Sequence, residues 1–459
     1  MKPLSIDFIS NSINGEIVQG DLSQTIDGVS IDSRTIQKGQ LFFAIIGERM
    51  DGRQFIANAV EKGATAIVVD RNVDVADSVA VIRVEDTSQA LQDLAREYRC
   101  SIKGLTVVAI TGSAGKTSTK DMIAALLKLK YKTKKTQGNL NNYYGLPLTI
   151  LRLDGDEEVA VLEMGMSNLG EIELLSSIAE PDIGVITNVG EAHLESLGSI
   201  ENVARGKSEL ISSLPNNGIA VLNFDNKYVR DMKQVFRGKE IVYYGFSSES
   251  DIYADDIINK NSGTQFTVHY QNDDINIKIN RPGQHNIYNA LAAIAVARSM
   301  DLSWADIKRG FSLVEYSALR WDLKENSDGV EIINDAYNAN PLSMKAVIEA
   351  ISSMEGERHI LALGSMLELG DEERRAHLEL GKYIEGKPID FLLTVGRTAA
   401  LIADGAEKAG VDSRKIKRVD NNQEAVEFLK DYLKTDDIIL VKGSRGNRME
   451  EIVEGLLES

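Results

Sequence analysis

A single cysteine, Cys100, is all the chain carries, which excludes an intrachain disulfide framework and a cysteine-based zinc site. No apolar N-terminal run follows a basic stretch, and no window reaches the length of a membrane span. A soluble, cytoplasmic protein without a secretory signal is therefore expected. Positive charge is in short supply: 51 Lys and Arg against 69 Asp and Glu leave a net charge of −18. That balance disfavours broad binding to nucleic acid or to an anionic membrane, so neither is expected as a partner. Any phosphorylated ligand must be held by local cations and metal. No repeat of solenoid period and no low-complexity segment interrupts the chain. What is present is 459 residues with 43% hydrophobic content, enough for about three domains with cores of their own. A monomer is the default expectation.

The stretch 111–119, Thr-Gly-Ser-Ala-Gly-Lys-Thr-Ser-Thr, organises the rest. A β-branched apolar run at 105–110 leads into it, and Met122, Ile123, Leu126 and Leu127 form a helical stripe after it. The spacing predicts strand, tight loop, helix. Gly112 and Gly115 allow the backbone to turn N–H groups inward, the helix presents its positive end, and Lys116 adds a full charge. These are the parts of a phosphate cradle. The pattern is G-x-x-G-K-T, shorter than the common G-x-x-x-x-G-K-[ST], which would need glycine where Ile110 stands.

Residues 1–103 read as a small α/β domain, with a strand at 40–46, a helix at 54–62, a strand at 64–69 and a helix at 88–98. Within it lie Asp32-Ser33-Arg34 and, beyond Gly47, Asp51-Gly52. Alone these are turn residues, but an arginine beside a serine in a loop can also bind a diphosphate.

The middle section, 104–314, starts with the phosphate loop. Its stretch 138–147 is too rich in glycine and asparagine for a regular element and reads as a loop over the site. A strand at 158–162 delivers Glu163 to its C-terminal end, where open parallel sheets place ligands. Isolated, Glu163 would be a solvated carboxylate; in that position a metal ligand is an equal alternative. A strand at 183–187 ends in Asn-Val-Gly-Glu-Ala-His, and His193, one of five histidines, could bind metal or a phosphate oxygen, although a lone histidine is more often structural. A helix at 200–214 carries Lys207. A helix-surface lysine ordinarily points into water, but one facing a Mg2+ site could add CO2 in its neutral form and become a carbamate ligand. A strand at 219–223 continues the sheet, and 240–279 reads as antiparallel strands. Asn286 and Asn289 lie on one face of the next helix, and their amides suit the edge of adenine.

A second linker falls near 312–317. Beyond it come a strand at 330–334, a helix at 342–353, a strand at 360–363, a helix at 372–384, a strand at 391–395, two helices, a strand at 437–441 and a last helix. That alternation predicts a doubly wound parallel sheet. Three polar stretches at strand ends, 335–341, 364–370 and 442–446, should line one crevice. No strand here is followed by G-x-G-x-x-G, which sets aside a dinucleotide-dependent oxidoreductase.

Taken in this order, the residues resemble the Mur ligase family of ATP-dependent amide-forming enzymes over essentially the whole chain. The short Thr-Gly-Ser-Ala-Gly-Lys-Thr loop, Glu163, the run 188–193, Lys207 and the His-Asn-x-x-Asn helix all fall in that family's order. Stretches 335–341, 363–370 and 440–449 look like the branch that adds D-alanyl-D-alanine to a UDP-N-acetylmuramoyl tripeptide. The resemblance implies an α/β fold of three domains: a UDP-substrate-binding domain at 1–103, a central P-loop ATPase-type parallel or mixed sheet at 104–314, and a Rossmann-like doubly wound domain at 315–459 that closes over the nucleotide. It implies a ligase using ATP and Mg2+ through an acyl phosphate in peptidoglycan precursor synthesis, with catalytic roles for Lys116, His193 and Lys207.

The same resemblance implies that Gly112, Ser113, Ala114, Gly115, Lys116, Thr117 and Ser118 hold the nucleotide phosphates. Thr117 and Glu163 would bind Mg2+, His193 would help hold a second metal, and a carbamylated Lys207 would support the metal site. Asn286 and Asn289 would meet adenine, while Arg320 and Asp335 would reach the nucleotide from the linker and the third domain. Ser33 and Arg34 would border the uridine nucleotide, Asp51, Asn139 and Asn142 would bind substrate as well, and Asn338 and Asn340 would border the dipeptide. Lys38 departs from the pattern, standing where relatives often carry proline. The rivals are a folylpolyglutamate synthase-like ligase, against which the extra N-terminal domain argues, and an ATP-driven switch that is not a ligase.

Overall fold

The structure is a computed structural model that describes residues 1–47 and 50–458. Among the described residues the strands form a two-stranded ribbon and sheets of five, nine and six strands, in chain order along three successive parts of the sequence. The five-stranded sheet runs Glu16–Gln19, Ala80–Arg83, Ala66–Val69, Gln40–Phe43, Gly28–Ser30, and its first strand alone is antiparallel to its neighbour. Strands such as Ala66–Val69 are buried at every position, as expected where helices or another domain cover both faces.

The nine-stranded sheet holds Thr106–Thr111 between Ile183–Ile186 and Val159–Glu163, all parallel. Its apolar residues split by strand alternation between two cores. One faces Lys116–Leu127 and Gln284–Ser299; the other faces Glu171–Ala179 and Ile200–Ser212 and runs on into the N-terminal domain. The chain leaves Thr106–Thr111 toward one edge and returns on its other side. Crevices of that kind, beyond the carboxyl ends of the strands, are where open α/β sheets bind ligands. One expectation is corrected: Glu240–Gly245 is parallel to both neighbours, and only the strands from Ile252–Lys260 onward pair antiparallel. Residues between 223 and 240, which include Lys227–Arg230, give the chain length enough to cross back and re-enter in the same direction.

The six-stranded sheet runs Asp322–Glu325, Glu331–Asn334, Asp437–Lys442, Arg358–Leu363, Phe391–Val395, Ile416–Val419. Five strands are parallel and the first is an antiparallel edge. Both edge strands lie outside the sequence-based expectation. Where two consecutive helices were expected, Ile416–Val419 stands between Ala400–Ala409 and Asn422–Tyr432.

Candidate nucleotide site

The loop after Thr106–Thr111 is shaped by two close approaches. A Cβ on Gly112 would lie 1.8 Å from Thr187 Oγ1, and one on Gly115, whose φ is +82°, would lie 2.4 Å from Asn289 Oδ1. Glycine is required at both. The end of the neighbouring strand then fixes the loop. Ser113 N–H donates to the Asn188 carbonyl (3.0 Å) and Ala114 N–H to Asn188 Oδ1 (2.9 Å), while Thr187 Oγ1 and Asn188 Nδ2 donate to the Ala114 carbonyl (2.6 and 3.0 Å). No side chain caps Lys116–Leu127. The first-turn N–H groups of Lys116, Thr117 and Ser118 have no helical acceptor and remain for an anion.

Three charged side chains converge behind those groups. Lys116 Nζ donates to the Gly112 carbonyl at 2.7 Å, and loss of solvent, with Arg320 adding to it, holds its amine below the usual lysine range against the pull of Glu163. Lys207 is 2% exposed, so of the two alternatives the sequence left open it is not the lysine that points into water. It shares the inward stripe of Ile200–Ser212 with Val203, Gly206 and Leu210. Burial, then the nearby Lys116 cation, pushes its amine well below the ordinary value. Glu163, the last residue of its strand, accepts from Asn141 Nδ2 at Oε1 (2.9 Å), whereas its Oε2 is buried without a hydrogen-bond donor. A donorless carboxylate oxygen in the same crevice as the Thr117 hydroxyl fits the hard-oxygen set of Mg2+, which takes one or two carboxylates and fills its shell with phosphate and water.

The third domain closes on this loop. Arg320 donates from Nη2 to Thr117 Oγ1 (3.3 Å) and lies 3.9 Å over the Tyr337 ring. Asn340 caps Pro341–Ser352 through a reciprocal bond with Ser343 and donates from Nδ2 to the Ser113 carbonyl at 3.1 Å. Asp335 accepts from Trp321 N–H (3.0 Å) and from the buried Lys442 Nζ (2.5 Å). Asn338 gives its carbonyl to Lys442 (2.9 Å) and its Oδ1 to Ala339 N–H (2.9 Å). The three polar strand-end stretches do meet: Ser444 N–H donates to Ser365, Leu367 N–H donates to Ser444 Oγ, and Ser444 Oγ donates to Ala339. His193, with φ +55°, sits 2.6 Å through Nδ1 from Glu368 Oε2, and Glu191 pairs with Arg375 at 2.9 Å. The 188–193 run thus buttresses the phosphate loop at one end and docks the third domain at the other.

Asn286 and Asn289 are buried, and their side chains bond to the Pro282 carbonyl and to Thr119 Oγ1. Asn289 packs directly behind Gly115. Asn142 starts Gly145–Ile150 by accepting from Tyr144 and Gly145 N–H, so a helix begins inside the expected loop, and Asn139 is exposed. The asparagine that reaches Glu163 is Asn141, which the sequence does not distinguish from Asn139 and Asn142 close by. Tyr337 and Lys442 entered only as members of the polar strand-end stretches, and Lys120 was not singled out; a lysine in the second turn after a phosphate loop carries no local signal of burial. In the first domain, Ser33 is buried, Arg34 is exposed and paired with Asp32 (2.7 Å), and Asp51 pairs with Arg53 and caps Gly52–Phe55.

A glycine-lysine-threonine loop at the end of a strand with parallel neighbours on both sides, with a second doubly wound sheet shut over it, defines a nucleotide-dependent enzyme of the phosphate-loop class. The models of the Mur ligase family catalytic domain, the Mur ligase middle domain and the Mur ligase glutamate ligase domain match residues 25–99, 110–297 and 319–445. The UDP-N-acetylmuramoyl-tripeptide–D-alanyl-D-alanine ligase of Bacillus subtilis is 40% identical over 99% of this chain and 98% of its own. A crystal structure of MurF from Acinetobacter baumannii superposes with a TM-score of 0.92 at 29% identity, covering 100% of both chains. MurF ligase from Thermotoga maritima in complex with ADP gives 0.82 at 32% identity, over 94% of this chain and 97% of that one. The chain belongs to the Mur ligase family.

Proposed function

We propose that this chain is the ATP-dependent ligase that joins D-alanyl-D-alanine to UDP-N-acetylmuramoyl tripeptide, giving the pentapeptide precursor of peptidoglycan, ADP and phosphate. The observation that carries it is full-length identity of 40% to a relative bearing that name, with the phosphate loop intact. Cell-wall growth and division are the processes served. A cytoplasmic monomer is the form proposed; no helix among the described residues is long and apolar enough to cross a membrane.

A carboxylate at neutral pH is a poor electrophile, so the γ-phosphoryl of ATP is first moved to the tripeptide's terminal carboxylate. The first-turn amides at 116–118 and the Lys116 ammonium take up charge spread over the transferring group. Mg2+, which Thr117 and Glu163 would hold, with His193 helping to hold a second metal and a carbamylated Lys207 supporting the site, would supply further neutralisation when bound. Lys207 is suited to the carbamate because burial lowers the pKa of its amine and so favours the neutral form, the one that adds CO2. Asn286 and Asn289 would meet adenine, and Arg320 and Asp335 would reach the nucleotide from the linker and the third domain. Ser33 and Arg34 serve the uridine nucleotide, Asp51, Asn139 and Asn142 bind substrate as well, and Asn338 and Asn340 border the dipeptide. The dipeptide amine then attacks the acyl carbon and phosphate leaves. Water would destroy the acyl phosphate, so the contacts of Arg320 and Asn340 with the loop form before chemistry.

The test is phosphate release from ATP with UDP-muramoyl tripeptides bearing lysine or diaminopimelate, with and without D-alanyl-D-alanine. Release that requires both peptides is expected. Release with ATP alone would identify a switch instead, and release with folate and glutamate would identify the rival ligase.

A further inference from the structure

Lys120 is fully buried, yet its ammonium has no hydrogen-bond partner. It lies 3.5 Å from Glu163 Oε2, the carboxylate oxygen left without a donor, and 3.6 Å from Asp121 Oδ1. A buried ammonium held between two carboxylates beyond close hydrogen-bond distance is balanced in charge but left with unsatisfied donors, so it responds to any change in either carboxylate. Asp121, 1% exposed, does more than balance it. Its Oδ2 accepts the Ser317 N–H at 2.8 Å and its Oδ1 accepts Lys135 Nζ at 2.6 Å. Ser317 opens the segment that leads to Arg320, the residue bonded to Thr117 Oγ1. Leu319 and Trp321, on either side of Arg320, both hold positive φ, at 60° and 50°, conformations that bulky residues adopt only when their surroundings impose them.

We propose that Lys120 is a positioning residue that links the divalent-cation site at Glu163 to the strap carrying Arg320. The inference rests on the ATP- and Mg2+-dependent reading above. A cation on Glu163 Oε2 takes over the negative charge that Lys120 faces there, leaving Asp121 as its remaining counter-charge. Asp121 in turn fixes the amide of Ser317. Charging the metal site and fixing the strap at Ser317 are thereby linked, with the metal-loaded form holding the strap more firmly.

The test is hydrogen–deuterium exchange of the segment 313–321 in the full chain with ADP, with and without Mg2+, which involves no turnover. In the wild type, Mg2+ should slow exchange there by about tenfold, the scale of one charge-assisted hydrogen bond. Lys120→Met, which keeps the side-chain length, should reduce that Mg2+ effect to under about twofold. Asp121→Asn should do the same while leaving Lys120 in place, and covers the case in which the methionine variant fails to fold. Unchanged Mg2+ protection in either folded variant overturns the link. Failure of the wild type to bind Mg·ADP by calorimetry would be a different result, overturning the nucleotide reading itself and this inference with it. Binding of Mg·ADP without Mg2+-dependent protection would overturn the inference alone.

Discussion

Asn340 and Ser113, 227 positions apart, are joined by a 3.1 Å hydrogen bond from the Asn340 amide to the Ser113 carbonyl, so the residue that starts a helix of the third domain also holds the phosphate loop of the second. Its two halves do separate jobs. Oδ1 accepts Ser343 N–H as the helix cap, and Nδ2 makes the bond between domains. Asn340→Asp keeps a cap but replaces the donor by an anion facing the loop. It should leave the melting temperature nearly unchanged and lower kcat/KM for ATP by roughly tenfold or more, the worth of a hydrogen bond lost to repulsion. Asn340→Ala should lose the cap as well and cost about 1 kcal/mol of stability. Thermal melts and steady-state kinetics of the two variants check the division.

Lys116 spends its ammonium on the Gly112 carbonyl and is held below the usual lysine range by loss of solvent. A cation kept there against its preference has a task other than stability. Lys116→Ala is expected to leave the fold and the melting temperature essentially intact and to reduce phosphate release by roughly a thousandfold, because it removes charge stabilisation at the transferring group. Normal turnover in that variant would defeat the phosphate-loop assignment.

How much of this was readable in the sequence follows from where each constraint lies. The phosphate loop was legible because its requirements are local: two glycines at close approaches, then lysine and threonine at the start of a helix. Edge strands were not. In Ile416–Val419 the two central residues, Lys417 and Arg418, are exposed, and Asp322–Glu325 is mostly exposed, so neither shows the apolar run that marks a strand. The direction of Glu240–Gly245 was missed because alternation reports burial and says nothing about which neighbour a strand joins. At the site, Asn139, Asn141 and Asn142 have the same local propensities, and only the tertiary path sends Asn141 to Glu163. Lys207 left a fainter trace. It stands four residues after Val203 and three before Leu210, on a stripe that is otherwise apolar.

That position makes Lys207 the best place to seek a carbamate. Its amine is well below the ordinary lysine value, so the neutral, CO2-reactive form persists to lower pH than on a surface lysine. Because the folded chain binds fewer protons at this site, its burial destabilises the fold increasingly as pH falls from the unfolded lysine value toward the depressed one. Carbamylation relieves that penalty. Bicarbonate should therefore raise the melting temperature of the wild type and leave Lys207→Met unaffected. In 13C-bicarbonate a carbamate resonance should be seen in the wild type only, and CO2-free dialysis should lower activity about tenfold to a hundredfold, the usual cost of losing a metal-supporting group. An unchanged melt together with a blank carbon spectrum would remove the modification from the mechanism.

His285 gives the fold a dependence on acidity that can be read without substrate. Burial lowers its imidazole from the ordinary 6.5 to about 4, with Lys442 and Arg281 pushing the same way and Asp335 opposing them. Its ring faces Trp321 at 6.3 Å, next to the carbonyls of Arg320 and Trp321 that accept from Arg281. Below pH 6.5 the unfolded chain takes up a proton at this site that the folded chain refuses until about pH 4. Stability is therefore unaffected by His285 above that interval, falls as pH drops through it, and reaches a loss of about 3 kcal/mol at its lower end. His285→Gln cannot take up the proton in either state. Denaturant midpoints measured from pH 8.5 to 4 should show a shallower decline in the variant than in the wild type, with the two curves parallel above about pH 7.5. Parallel curves across the whole range would mean that the ring is not held neutral at the junction of the second and third domains.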